Sequence, residues 1–269
     1  PLPYPDPTQE GVRVEVLAPP PGAAEVREWP GRLDVRWPAG ATGPFAAEAR
    51  VTLTAWQESF DLSAADPAPV PDPEDEAYLR PRDGLVRVTP FVRALADRLA
   101  GAATGPAALL GRFWDFFFSG PACGYVHHEA LDPADPLADV VRTGRFDCLA
   151  GSALLIALCR AKGVPARLIH GLIPHPLTPV FHFWAEVRVP PFGWVPADLA
   201  AWDLAAGRGG DPWARAFLGR MEYRVKCQRF PHTVVGPVGV PHPPRWTMAL
   251  APTPDGASVT YYAVDPPYR

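Results

Sequence analysis

Proline is the residue that most limits how this chain can fold. It accounts for 37 of the 269 residues, against a usual share of about 5%. Proline has no backbone N–H and disrupts a helix anywhere beyond the first turn, so the helices and strands are predicted to be short and often interrupted. Hydrophobic residues still make up 48% of the chain, with 9 Trp and 13 Phe, which is enough for a real core. The length fits one large domain or two.

The charge and the hydropathy of the chain argue against nucleic-acid binders and membrane proteins. The net charge is −4, whereas an electrostatic nucleic-acid binder needs a concentrated basic surface. No apolar run is long enough to span a membrane, and the amino terminus has neither the basic nor the apolar region of a leader peptide. We therefore expect a soluble, cytoplasmic protein that binds neither nucleic acid nor membrane. An export signal removed before residue 1 stays open as an alternative.

The pattern of apolar residues divides the chain into three parts. Residues 11–62 alternate apolar and polar side chains between Gly/Pro clusters, which predicts a β-rich region over residues 1–62. Residues 63–83 repeat Pro and acidic residues without apolar periodicity, which predicts a linker or an extended surface strap. Residues 84–269 are predicted to form a separate domain of helices and strands.

Within residues 84–269 the period first changes from two to 3.6. Thr89 and Pro90 predict a helix start, and a second helix is predicted after Gly105-Pro106. Residues 119–143 are predicted to be irregular, and a third helix is predicted from about Cys148 to Lys162. The remainder has the alternation of strands, which are predicted near 166–173, 180–189, 194–198, 221–229, 232–240, 245–250 and 258–264. The order of elements is therefore that of an α+β fold.

Cys148 is the cysteine best placed for chemistry. It is predicted to begin a helix, where unpaired backbone N–H groups and the helix dipole favour a thiolate. Asp147 is the predicted N-cap, although its negative charge opposes thiolate formation, so a nearby imidazole is needed. Cys159 lies on the same predicted helix among leucines, which favours a role in packing.

His182 and Asp198 are the predicted partners of Cys148. Strand alternation over 180–189 puts His182, Trp184 and Glu186 on one face and a wholly apolar set on the other. A hairpin centred on residues 190–192 would make Asp198 an opposite or diagonal neighbour of His182. Cysteine, imidazole and carboxylate can act as nucleophile, base and orienting group in acyl transfer.

Three sequence blocks carry a family resemblance. They are DCLAGSALLIALCRAKGVPAR from Asp147, HFWAEV from His182 and GWVPAD ending at Asp198. In order and spacing they resemble the bacterial members of the transglutaminase-like superfamily. Many relatives have Gly two residues before the cysteine, where this chain has Phe146, a departure that bears on access to the thiol.

The resemblance implies a papain-like transglutaminase core, with helices packed on an antiparallel sheet and a catalytic triad of Cys148, His182 and Asp198. It also implies that the thiol attacks a peptide or protein amide to form a thioester. The Cys148 backbone N–H would be one oxyanion donor, and a second usually comes from an upstream side chain, for which Trp114 and Tyr125 are candidates.

Several functions remain open on the sequence. Nothing in it identifies a site for an amine, so hydrolysis of an amide is the working hypothesis. The alternatives are transamidation, as in a protein-glutamine γ-glutamyltransferase, and an inactive module for protein interaction. Trp184 and Trp194 are predicted to form walls of the substrate site and are the candidate substrate-binding residues. The oligomeric state is left open.

No metal or cofactor is predicted. The acidic metal sites of the calcium-dependent animal relatives have no counterpart in this chain. The run His127-His128-Glu129, near Cys123, lacks the second pair of ligands that a metal site needs and contains no HExxH motif. A surface loop is therefore the preferred interpretation of this run.

Overall fold

The structure is a computed structural model that describes most of the chain. The described residues are 2–18, 22–23, 25–29, 32–42, 48–65, 72–126, 131–132, 134–174, 180–202, 215–222, 224–229, 251–252 and 258–259. The α-helices are α1 (Pro90–Ala100), α2 (Pro106–Ser119), α3 (Pro136–Thr143) and α4 (Cys148–Ala161), and short 3₁₀ helices span Leu62–Ala64 and Pro73–Tyr78.

Most strands in the described part of the chain are short. In chain order they are β1 (Gln9–Ala18), β2 (Glu25–Trp29), β3 (Arg32–Arg36), β4 (Glu48–Ala55), β5 (Glu58–Ser59), β6 (Arg82–Asp83), β7 (Val86–Arg87), β8 (Ala122–Cys123), β9 (Arg145–Phe146), β10 (Ala166–Ile173), β11 (Val180–Val189), β12 (Gly193–Ala197), β13 (Arg220–Met221), β14 (Val225–Arg229), β15 (Ala251–Pro252) and β16 (Ser258–Val259).

Proline starts helices in this fold as well as interrupting them. Helices α1, α2 and α3 each begin at a proline, because the missing N–H is not needed in the first turn and the fixed φ suits a helix. The predicted starts of α1 and α2 are confirmed, and Thr89 Oγ1 accepts the N–H of Val92 at 3.2 Å. Helix α3 lies in the stretch that was predicted to be irregular. Its signal was Asp135, whose side chain caps the helix directly before Pro136.

The main sheet has four strands and includes β11, which carries His182. Its order is β12-β11-β10-β14, and each neighbouring pair is antiparallel. The apolar face of β11 joins the core formed with α1, α2 and α4, through the buried side chains Phe183, Ala185, Val187 and Val189. Trp184, on the other face, belongs to a separate small cluster with Ile169 and Met221. The predicted alternation of β11 is therefore confirmed, and so is the α+β class.

The amino-terminal part contacts the far edge of this sheet through buried charges. Strand β1 pairs with β4, and β5 pairs with β13. Lys226 on β14 is 3% exposed, and its Nζ lies 2.6 Å from Glu186, 3.1 Å from Asp6 and 3.6 Å from Glu58. A buried ammonium needs such carboxylate partners. Lys226 therefore joins the main sheet to the amino-terminal residues Asp6 and Glu58.

The domain boundaries at residues 62 and 83 remain a prediction. Part of the predicted strap forms the 3₁₀ helix Pro73–Tyr78, where Tyr78 packs on Trp194 with ring centroids 4.9 Å apart. The predicted strands near 232–240 and 245–250, and most of 258–264, lie outside the described residues. None of the described helices is both long and apolar enough to cross a membrane.

Candidate active site

Cys148 begins helix α4, as the sequence predicts. Asp147 caps the helix, and its Oδ1 accepts the N–H groups of Leu149 at 3.0 Å and Ala150 at 2.7 Å. The Cys148 thiol is half-buried. The cap thus holds the turn that carries the thiol without using the Cys148 N–H.

The β11–β12 hairpin brings His182 and Asp198 together. Val189 pairs with Gly193 and Ala185 with Ala197, so continuing this register puts Asp198 beside Trp184 and diagonal to His182. The distance from His182 Nε2 to Asp198 Oδ1 is 2.7 Å, and the two side chains are only 8% and 7% exposed. The hairpin centred on 190–192 and the neighbourhood of these two residues agree with the sequence-based prediction.

His182 also contacts Cys148, and its charge state reflects both neighbours. Burial by itself lowers the pKa of His182, but the Asp198 carboxylate and a hydrogen bond with the Cys148 side chain outweigh burial and raise that pKa to about 9. For Asp198, burial raises the pKa, while the charges of His182 and Arg224 lower it to about 2. At neutral pH the imidazole is therefore protonated and the carboxylate ionised.

Arg224 is a residue of this site that the sequence analysis missed. Its Nε donates to Asp198 Oδ2 at 2.9 Å, and its second terminal nitrogen lies 2.7 Å from the same oxygen. It stands directly before β14, 26 residues after Asp198. No motif marks it, because the contact depends on how β14 lies in the sheet.

The two predicted substrate-binding tryptophans, Trp184 and Trp194, lie in different surroundings. Trp184 is 0% exposed, and its ring is stacked beside the His182 ring with centroids 6.2 Å apart. It supports His182 from within the protein and has no surface for a substrate. The Trp194 ring lies under the Arg167 guanidinium at 4.1 Å and against Tyr78. Trp194 pairs with Arg188 on β11 and contacts the predicted strap through Tyr78. Its role in binding a substrate stays a prediction.

The other sequence candidates differ in accessibility. Trp114 is fully buried in the core, whereas Tyr125 is 73% exposed just after β8. Phe146 is also fully buried and packs edge-on against Phe117, so its ring forms part of the core rather than covering the thiol.

Burial raises the pKa of both Cys159 and Cys227 to about 12, which makes these two thiols inert.

A search for metal ligands covers the described residues. Among the described residues, no group of three or more His, Cys, Asp or Glu side chains could hold a metal ion. The run from His127 to Glu129 lies outside the described residues.

The Asp147 cap is open to a direct test. We expect Asp147→Ala to lower the free energy of unfolding by about 1–2 kcal/mol, because two N–H groups lose their acceptor. Asp147→Asn is the matched control, since Asn caps as well as Asp. Urea unfolding of the three proteins measures the effect, and an alanine variant as stable as the wild type would contradict the assigned cap.

Comparison with known proteins identifies a family for part of the chain. Residues 93–199 match the family model described as the transglutaminase-like superfamily, and this range includes Cys148, His182 and Asp198. No curated protein matches the chain.

Several solved structures are similar to the chain. A protein from Cytophaga hutchinsonii, provisionally named a cysteine protease, matches with a TM-score of 0.57 and 17% identity over 86% of this chain and 74% of that chain. The periplasmic domain of TgpA from Pseudomonas aeruginosa matches with a TM-score of 0.45 and 23% identity, over 68% and 62% of the two chains. The first likeness supports the α+β, papain-like fold. By the family match, residues 93–199 form a transglutaminase-like domain.

Proposed function

We propose that the protein is a cysteine-dependent acyl-transfer enzyme that cleaves peptide or glutamine-type amides through a thioester on Cys148. The observation that carries the proposal is the continuous chain of contacts from the Cys148 side chain to His182 and on to Asp198 at 2.7 Å. The nucleophile, the proton carrier and the group that orients it thus lie in the order that such chemistry needs.

The acylation step follows from the charges of these groups. The protonated His182 ring lies against the Cys148 sulfur, and the thiolate is the form of a cysteine that reacts as a nucleophile. Sγ attacks the amide carbonyl carbon and forms a C–S bond, and the oxyanion is stabilised by the Cys148 N–H at the start of α4. The C–N bond then breaks, and His182 gives its proton to the leaving amine. The product of this half-reaction is a thioester and a free amine or ammonia.

The second half-reaction returns the enzyme to its starting state. The neutral His182 ring accepts a proton from water as the water oxygen attacks the thioester carbon. The C–O bond forms, the C–S bond breaks, and the thiolate and imidazolium are restored. A primary amine in place of water would give transamidation. We favour hydrolysis, since no described feature marks a second site for an amine.

Intact-mass trapping tests this function. The full chain is incubated with a panel of glutamine peptides and peptide amides, quenched in acid and weighed by mass spectrometry. We expect a mass increase equal to the donor acyl group, located at Cys148 by peptide mapping. Adding a fluorescent primary amine then separates the two outcomes, because hydrolysis releases the free acid while transamidation releases the amine conjugate. A Cys148 without an adduct from any donor would favour the inactive interaction module.

The pH dependence gives an independent prediction. Because the pKa of His182 is raised from its ordinary 6.5 to about 9, kcat/KM should fall on the alkaline side near pH 9. The raised pKa of His182 also adds to the free energy of unfolding. This contribution is complete below about pH 6.5 and is lost as the pH rises through about 9. NMR titration of the ring protons, assigned with His182→Gln, measures the value. A titration at or below the ordinary value would contradict the close His182–Asp198 pair.

A further inference from the structure

The Asp198 carboxylate is held on both of its oxygens. Oδ1 accepts from His182 Nε2 at 2.7 Å and from the Ala200 backbone N–H at 2.8 Å. Oδ2 is approached by two nitrogens of Arg224, at 2.9 Å and 2.7 Å. Charge-assisted bonds of this kind fix both the position and the rotation of a carboxylate.

Arg224 is itself fixed. Its side chain is 17% exposed, and Nη1 donates to the backbone carbonyl of Glu222 at 3.1 Å. It enters from the β14 edge of the sheet, whereas Asp198 follows β12 at the opposite edge. The contact therefore spans the end of the sheet at which His182 lies, and it ties together the two edge strands on either side of β10 and β11.

Two cations consequently share one buried anion. The titratable groups that act on His182 include Asp198, Cys148 and His170. Burial lowers the pKa of His170 to about 3, so that ring is neutral. Arg224 adds a permanent positive charge on the far oxygen of Asp198, and this charge weakens the attraction of Asp198 for a proton on His182.

We propose that Arg224 is a positioning residue of this site, which fixes Asp198 against His182 and offsets part of its charge, so that His182 can release its proton to the leaving amine. The proposal deepens the proposed function and rests on it for the proton transfer. The arrangement of the three side chains does not depend on activity and can be tested separately.

The experiment compares Arg224→Gln and Arg224→Lys with the wild type. In Arg224→Gln the lost positive charge should move the NMR titration of His182 upward by about half a pH unit or more. A more firmly held proton makes a weaker general acid, so we expect kcat to fall about tenfold or more with KM little changed. Arg224→Lys keeps the charge and should return the titration towards that of the wild type. It should also recover part of kcat.

Arg220→Gln is the matched control. Arg220 is exposed on neighbouring β13, and its removal should leave both the titration and kcat unchanged. An unmoved His182 titration in Arg224→Gln would overturn the proposal, and so would a downward shift. If Arg224→Gln does not fold, as judged by circular dichroism, Arg224→Lys alone decides. A lower kcat in Arg224→Lys with a wild-type His182 titration then supports the role of Arg224 in positioning Asp198. A wild-type kcat in Arg224→Lys rejects that role.

The two proposals can fail separately. A wild-type protein that forms no thioester, while Arg224→Gln still shifts the His182 titration, would reject the enzymatic function and keep Arg224 as the residue that holds Asp198. A wild type that forms the thioester, with kcat and titration unchanged in Arg224→Gln, would keep the function and reject the role of Arg224.

Discussion

Replacing Cys148 by alanine is expected to remove acyl transfer and rapid alkylation while leaving the fold intact. Loss of a covalent nucleophile should reduce kcat/KM by about four orders of magnitude or more. The helix cap is supplied by Asp147 rather than by Cys148, and the thiol is only half-buried. Both facts predict a free energy of unfolding within about 1 kcal/mol of the wild type.

Iodoacetamide distinguishes the four thiols at neutral pH. Cys148 contacts the protonated His182 and should react fastest. Cys159 and Cys227 are buried with pKa values raised to about 12 and should react only on unfolding. Cys123→Ala is the matched control because that thiol is also half-buried, and it should keep full activity. Equal slow labelling of all four cysteines, or activity that survives in Cys148→Ala, would remove the basis for the proposed function.

A single methyl group at Gly171 is expected to disrupt the main sheet. A Cβ there would lie 2.2 Å from the backbone carbonyl oxygen of Val225 and 2.3 Å from Cη2 of Trp184. The Val225 oxygen belongs to β14 and can move only if β14 moves away from β10. Overpacking of this kind costs about 1–3 kcal/mol and occasionally more. We expect Gly171→Ala to lose about 3 kcal/mol in urea unfolding.

The same change should affect the candidate site. Gly171 pairs with His182 across β10 and β11, and the Trp184 ring that the methyl group would displace lies beside the His182 ring. Alkylation of Cys148 should therefore slow as well. Gly111→Ala is the matched control, because a Cβ there meets only Arg215 Nη1 at an ordinary 3.7 Å, and alanine favours helix α2. If Gly171→Ala were as stable as Gly111→Ala, the close approach of Val225 and Trp184 would be refuted.

Much of the site was predictable because its signals are local. A helix start depends on a cap and the next few residues, so Asp147 and Cys148 could be placed from their own neighbourhood. The faces of β11 follow from a period of two, and a short hairpin sets the register of its two strands. Together these local rules bring His182 near Asp198 without any knowledge of the remaining fold.

The contacts that the sequence did not predict are made between residues far apart in the chain. Trp184 lies on the polar face of β11 but is fully buried, because Gly171 on β10 leaves room for its ring. Trp194 is drawn towards Tyr78 and Arg167, and Tyr78 comes from a segment more than a hundred residues earlier. Alternation along one strand carries no information about such partners.

The sequence by itself determined the starts of α1 and α2, the start of α4 at the candidate nucleophile and the hairpin that joins imidazole to carboxylate. Only the tertiary structure decided that Arg224 holds the second oxygen of Asp198 and that Lys226 joins β14 to Asp6 and Glu58. Strand β14 pairs with β10 across more than fifty residues and with a register shift between His170 and Gly171. The side chains that meet across such a pairing are selected by packing of the whole sheet, for which no short stretch of sequence contains the information.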